Sequence, residues 1–338
     1  MEYKYNEIIS ELKKKIYKPV YFLQGEEPYF IDKITSYIQE NVLAEAEKSF
    51  NQTILYGKDT SVEEVINTAK RFPMMSNLQV VIVKEAQNLK NINELKHYIA
   101  NPQKSTLLVV NYKYKTLDKR TKLFKLIKDH AVVFNSPKIQ DHKIPAWITK
   151  YIESKEKKIT SDASVLLAEY LGNDLNKITH ELEKLFLTLP QNEHTITPNH
   201  IEKNIGISKD YNAFELNKAL ADKDILKANR IIKHFGKNPN EHAMPKIIGS
   251  LYYFFSKVLG YHFLEEKDKK DKYSAASKLK LYPGMLWQYQ NAAKKYDRGK
   301  LARIISYLRE YDTKSKGVNN TSTPSGELLQ ELIFKILH

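Results

Sequence analysis

The chain has 338 residues, of which 42% are hydrophobic and 28% charged, and it carries a formal net charge of +14. This length and composition exclude a mainly disordered protein and predict two or three globular domains. The absence of cysteine excludes disulfides, zinc–cysteine sites and thiol catalysis, and the ten histidines are scattered singly, so we expect no metal site.

No apolar run reaches the roughly 18 residues of a membrane-spanning helix, because Lys257 interrupts the most apolar segment, residues 250–263. The N-terminus carries acidic residues and no apolar stretch, which is unlike a signal peptide. We therefore expect no membrane partner and a cytoplasmic location.

Positive charge is concentrated toward the two ends of the chain. Residues 1–140 have a net charge of +6, residues 141–210 of −2 and residues 211–338 of +10. This distribution indicates contact with a polyanion somewhere in the protein's function. A solvated lysine-rich surface would explain the same charge about equally well.

Residues 1–141 alternate between helical and strand patterns. An amphipathic helix containing Ile8 and Leu12 comes first. Helices are then predicted from Pro28 to Ile38 and at 62–71, 92–99 and 117–127. Short runs rich in β-branched and aromatic residues predict five strands, at 19–24, 53–57, 80–83, 106–110 and 131–134. This alternation predicts a parallel sheet with helices on both faces.

Residues 72–79 place large apolar side chains on the turn between one such helix and the next strand. Ser61 and Glu64 predict a capping box at the start of the helix, and Pro73 ends it. Met74 and Met75 then lie on the turn. They either pack back onto their own domain or form an exposed binding surface, and methionine serves equally in both.

The loop after the first predicted strand has the position of a phosphate-binding loop but lacks its residues. Such a loop, GxxxxGK[ST], supplies glycines, a lysine and a hydroxyl to a nucleotide. Here Gly25 is followed by Glu26 and Glu27, whose carboxylates would repel a triphosphate and suit a helix N-terminus instead. Lys84 stands where an acidic metal-binding pair would follow a strand. We interpret this as a nucleotide-binding architecture without nucleotide chemistry, and expect no cofactor.

Residues from about 145 to 205 contain three helical patterns and no predicted strand. Ser161 is a candidate cap of the first helix, which Gly172 ends. Either Asn173 or Asp174 caps the second. The third begins at Thr197 and Pro198. The switch from alternating elements to helices alone marks a domain boundary near residue 141.

Residues 211–338 are helical again. The segment 244–263 is apolar nearly all round, which indicates burial on more than one side. A helical domain with surplus apolar surface predicts oligomerisation.

Motifs spread along the chain carry a resemblance to one known family. They are VYFLQGEEPY at 20–29, LDKRTKL at 117–123, GNDL at 172–175 with ELEKL at 181–185, FEL at 214–216 and LREYD at 308–312. Each motif is weak alone, but together, and in order, they span nearly the whole chain. On these residues the chain resembles the delta subunits of bacterial DNA polymerase III.

The resemblance implies an α/β plus all-α protein with three domains. These are an AAA+-like parallel-sheet domain without a functional phosphate loop (1–141), a small helical lid (142–210) and a C-terminal helical collar through which clamp-loader subunits assemble (211–338). It also implies the function. Such a subunit binds and opens the ring-shaped sliding clamp, the beta subunit, so that it can be loaded on primed DNA, while sibling subunits hydrolyse ATP. The chain itself would be a non-catalytic component of a DNA-directed DNA polymerase, a nucleotidyltransferase complex.

The resemblance also implies which residues bind the clamp. Its apolar contact pair falls on Met74 and Met75, supported by Pro73 and Leu78. Family members often carry Leu-Phe at this pair, and two methionines keep the apolar character. Asn176 occupies the position of an arginine that senses nucleotide in ATP-using relatives, so it belongs with the degenerate nucleotide site.

Three basic residues, Lys119, Arg120 and Lys122, are expected to help the assembled loader hold the backbone of duplex DNA. Two other classes of function remain as alternatives. One is an NTPase or kinase with a degenerate phosphate loop, for which the sequence shows no catalytic groups. The other is a stand-alone nucleic-acid-binding protein, which rests on the charge alone.

Overall fold

The computed structural model describes residues 2–190, 193–206, 210–320 and 322–338. Residues 191–192 and 207–209, which fall within the predicted lid, lie outside the described residues. The chain divides into two compact units, Met1–Ile139 and Gln140–His338. In the part of the chain that is described, no helix is long and apolar enough to cross a membrane.

A six-stranded sheet forms the centre of the first unit. Its strands are β1 (Glu2–Tyr3), β2 (Val20–Gly25), β3 (Gln52–Tyr56), β4 (Gln79–Lys84), β5 (Thr106–Lys113) and β6 (Val132–Asn135). They lie in the order β1-β6-β2-β5-β4-β3, and every neighbouring pair is parallel. The five predicted strands are confirmed. The sixth, β1, is an edge strand of two residues and is too short for a sequence pattern to reveal.

Six helices belong to this unit: α1 (Tyr5–Lys13), α2 (Pro28–Asn41), α3 (Glu45–Asn51), α4 (Val62–Ala69), α5 (Lys96–Ile99) and α6 (Lys122–His130). The sequence did not predict α3. The predicted helix start at residue 117 is wrong, because Asp118 accepts the N–H of Arg120 at 2.9 Å and forms a turn there. Thr121 then caps α6 by accepting the N–H of Phe124 at 3.2 Å.

Apolar cores lie on both faces of the sheet. Along β2, Val20 and Phe22 join one core while Tyr21 and Leu23 join the other, as the alternation of side chains along a strand requires. Helix α4 packs on the first face and α2 on the second. Burial on both faces explains why the strands are continuous apolar runs. The predicted parallel α/β domain is confirmed.

The second unit is almost entirely helical. Its helices are α7 (Ile144–Glu153), α8 (Ser161–Leu171), α9 (Leu175–Thr188), α10 (Pro198–Ile205), α11 (Ala213–Asp222), α12 (Ile225–Lys237), α13 (Met244–His262), α14 (Glu266–Lys270), α15 (Lys272–Leu279), α16 (Leu286–Lys295), α17 (Arg298–Ser315) and α18 (Ser325–Leu337). The expectation of no strand between about residues 145 and 205 is wrong, since β7 (Lys158–Ile159) pairs in parallel with β8 (Thr195–Ile196). The cap of α8 is Thr160 rather than Ser161. Asp174 caps α9, which decides between the two predicted residues.

Helices α11–α13 and α15–α18 share one apolar core. In α13, Phe254 and Phe255 are buried in it, whereas Tyr252 and Tyr253 are half exposed. Tyr252 and Tyr253 therefore form an aromatic face of α13 that is only partly covered. The division at residue 210 into lid and collar stays a proposal.

Candidate functional site

The turn between α4 and β4 carries three highly exposed apolar side chains. Phe72 is 79% exposed, Met74 61% and Met75 102%. The alternative in which the methionines pack back onto their own domain is therefore wrong. Pro73 is half-buried, and Leu78 is half-buried against the core on the α2 face of the sheet. We call residues 72–78 the methionine turn.

Hydrogen bonds fix the elements on either side of this turn. Ser61 accepts the N–H of Glu64 at 3.2 Å and caps α4 as predicted. The predicted capping box is not closed, since the Glu64 carboxylate accepts the hydroxyl of Thr60 at 2.7 Å instead. At the other end, the Gln79 amide donates to the Ala69 carbonyl at 3.3 Å and ties the last turn of α4 to the start of β4.

The backbone of the methionine turn is strained at its most exposed residue. Met75 has a φ of +53°, in the left-handed region that residues other than glycine adopt at a cost of roughly 1–3 kcal/mol. Such a conformation persists only where surrounding contacts hold it. One such contact involves Ser76, the residue after Met75, whose hydroxyl bonds to the Glu47 carboxylate in α3. A bond from the Ala44 N–H, which is the larger cause, and this bond lower the pKa of the Glu47 carboxyl.

Sequence reasoning missed Asn51, a residue of α3 that bonds to the methionine turn, and its exposed neighbour Phe50. Phe50 is 69% exposed, and the neighbouring Asn51 is buried. The Asn51 side chain donates to the Met74 carbonyl at 2.8 Å and accepts the Met74 N–H at 2.7 Å. Helix α3 has only seven residues and no side-chain hydrogen bond from its N-cap, so neither apolar periodicity nor a cap residue revealed it.

The loop after β2 uses its backbone donors internally. Gly25 donates its N–H to the Lys115 carbonyl and Glu27 donates to the Ser136 carbonyl, both at 3.0 Å. The Glu27 carboxylate accepts the N–H of Tyr29 at 3.0 Å and caps α2, as expected for a carboxylate at a helix N-terminus. A phosphate loop needs its N–H groups pointing at the ligand, and these three groups point at partners within the protein instead.

Two further residues of the predicted nucleotide site are exposed. Glu26 projects into solvent beside the buried Glu27. Asn176 lies in the first turn of α9, in the second unit, and its side chain is also exposed. An amide there supplies no positive charge to a phosphate.

The three basic residues lie together at the start of α6, and all three are exposed. Arg120 forms an ion pair with Asp118, with 2.7 Å between Nη2 and Oδ2. This bond raises the pKa of the Arg120 guanidinium. Within the described chain no ion pair involves Lys119 or Lys122, so their charge is available to a partner.

Comparison with known proteins gives consistent matches. A model of the family described as DNA polymerase III, delta subunit, matches residues 21–136, which include the methionine turn and the loop after β2. The DNA polymerase III subunit delta of Bacillus subtilis (strain 168) is 26% identical over 97% of this chain and 95% of its own length. Among solved structures, the Bacillus subtilis DNA clamp loader delta protein covers 99% of both chains at 23% identity, with a TM-score of 0.54 that shows a shared fold.

Proposed function

We infer that the chain belongs to the DNA polymerase III delta-subunit family and is the clamp-loader subunit that binds and opens the sliding clamp. The observation that carries this proposal is the exposure of Met74 and Met75 on a turn held from both sides. A few buried anchors usually dominate the energy of a protein interface. Unbranched, polarizable methionine side chains suit the role because they adapt to an apolar pocket.

In this proposal the chain does not hydrolyse ATP itself. The N–H groups of Gly25 and Glu27 are bonded to backbone carbonyls and that of Tyr29 to a carboxylate, so these three groups are not available to a triphosphate. Sibling subunits would supply the hydrolysis and assemble with this chain through residues 211–338. Primed DNA would be held within that assembly, in the cytoplasm, where the chromosome is replicated.

The full-length chain is expected to form a complex with the purified sliding clamp of the same organism in the absence of nucleotide. Gel filtration and isothermal titration calorimetry measure the complex, and adding ATP with Mg²⁺ should leave the affinity unchanged. Failure to detect a complex between the chain and the clamp at micromolar concentrations would contradict the proposal. Tight, Mg²⁺-dependent binding of labelled ATP to the chain alone would instead support the alternative of a degenerate NTPase.

Reversing the charges of Lys119, Arg120 and Lys122 to Glu is expected to weaken DNA-stimulated clamp loading by the assembled loader. Three lost phosphate contacts should also flatten the dependence of DNA binding on salt by about three units of slope. The matched control reverses three exposed lysines elsewhere in the first unit, Lys58, Lys90 and Lys104.

Equal loading by the two triple variants would remove the DNA-backbone assignment. Tight DNA binding by the isolated wild-type chain would favour the stand-alone nucleic-acid-binding alternative. Loading is therefore measured with the assembled loader, and DNA affinity separately with the chain alone.

A further inference from the structure

One side chain of α3 satisfies both backbone polar groups of the first methionine in the turn. The Asn51 amide nitrogen lies 2.8 Å from the Met74 carbonyl oxygen, and its amide oxygen lies 2.7 Å from the Met74 nitrogen. Asn51 itself is only 3% exposed, so its position is fixed by the packing around it. The two bonds span 23 residues of sequence and join α3 to the methionine turn.

These bonds act next to the strained residue. Met75 follows directly, with its left-handed backbone and its side chain entirely in solvent. An exposed side chain gains no packing energy that would hold the turn, so its conformation depends on hydrogen bonds around it, of which the two between Asn51 and Met74 are the nearest to Met75. Asparagine supplies a donor and an acceptor on one short side chain, whereas ionised aspartate has no donor and alanine has neither.

We propose that Asn51 is a positioning residue for the clamp contact: it holds the methionine turn in its binding conformation before the clamp arrives. This inference rests on the proposed function. A residue that pre-organises a contact changes affinity without touching the partner. If the freed turn keeps its binding conformation a tenth of the time, the apparent affinity falls about tenfold.

The first test measures Asn51→Ala in the full-length chain. We expect about tenfold weaker binding to the purified sliding clamp, together with faster hydrogen exchange at the Met74 amide. The matched control is Thr35→Val, which removes a buried side-chain hydrogen bond on α2 in the same unit, between Thr35 and Asn111. Thr35→Val should lower the stability of the unit and leave the clamp affinity unchanged.

The second test is Asn51→Asp, which reports on the hydrogen bonds themselves. Ionised aspartate places an oxygen against the Met74 carbonyl and cannot donate to it, so clamp binding should weaken near neutral pH. Protonation restores one donor and one acceptor, the same pattern as asparagine. The affinity of this variant relative to wild type should therefore recover as the pH falls, and this test stands even where Asn51→Ala does not fold.

The outcomes separate this inference from the proposed function. Unchanged clamp affinity after alanine replacement of Met74 and Met75 would overturn the clamp site itself. If that pair proves essential, wild-type affinity in Asn51→Ala, despite rapid exchange of the Met74 amide, would overturn the positioning role alone. A pH-independent ratio of Asn51→Asp to wild-type affinity would overturn it as well.

Discussion

Replacing both Met74 and Met75 by Asp is expected to abolish binding to the sliding clamp, and replacing both by Ala to weaken it roughly a hundredfold or more. The two side chains are exposed, so their loss removes the proposed interface anchors without opening a cavity in the core. Aspartate adds the cost of placing charge in an apolar pocket. It also tolerates a left-handed backbone, so Met75→Asp adds little strain.

Surface plasmon resonance on the purified clamp measures the affinity, and urea unfolding shows that the variants fold. The matched control is Leu187→Asp, which alters an apolar side chain that is 87% exposed in the second unit. We expect that control to bind the clamp as wild type does. Unchanged affinity of both methionine variants would remove the methionine turn from the proposed interface.

Substituting Gly25 by Ala is expected to destabilise the first unit by about 3 kcal/mol or more. Gly25 has a φ of +133°, which side chains rarely allow, and an added Cβ would lie 2.2 Å from the Ser136 carbonyl oxygen. The neighbouring atoms are backbone, and they cannot move aside without breaking the loop's hydrogen bonds. Equilibrium urea unfolding measures the change in the free energy of unfolding.

Gly172→Ala separates backbone strain from close packing. Gly172 also has a positive φ, of +73°, but an added Cβ would meet no atom within 4 Å. Its ψ of −146° puts it in a region that is essentially restricted to glycine, so a conformational cost of roughly 1–3 kcal/mol, with no added clash, is expected there. Equal losses of stability in the two alanine variants would show that the close approach of the Ser136 backbone to Gly25 adds nothing to the cost of a side chain at position 25.

The sequence alone was sufficient to predict the parallel sheet and to locate the methionine turn between α4 and β4. Buried parallel strands require continuous β-branched runs, and the runs at β4 and β5 are unmistakable. Ser61 and Pro73 bracketed α4 and the turn because caps and prolines act locally. Such signals need no knowledge of the rest of the fold.

The remaining features depend on residues far apart in sequence. The residues that follow Gly25 argued against a phosphate loop, but only the structure shows that the Ser136 carbonyl accepts a bond from the N–H of Glu27, more than a hundred residues earlier. Likewise, Asn51 gives no sign in the sequence that it bonds to Met74. Strands as short as β1, β7 and β8 have too few residues to show alternation. Asp118 can cap a helix or form a turn, and in the structure it accepts the N–H of Arg120 and forms a turn.

The left-handed backbone at Met75 limits which amino acids are compatible with this position. Isoleucine and valine are branched at Cβ and clash with their own backbone at positive φ, although both are apolar enough for the pocket proposed on the clamp. Among apolar residues, this position therefore favours side chains without a branch at Cβ, such as methionine and leucine. The backbone conformation at position 75, as much as the apolar contact proposed for it, therefore restricts which amino acids can occur there.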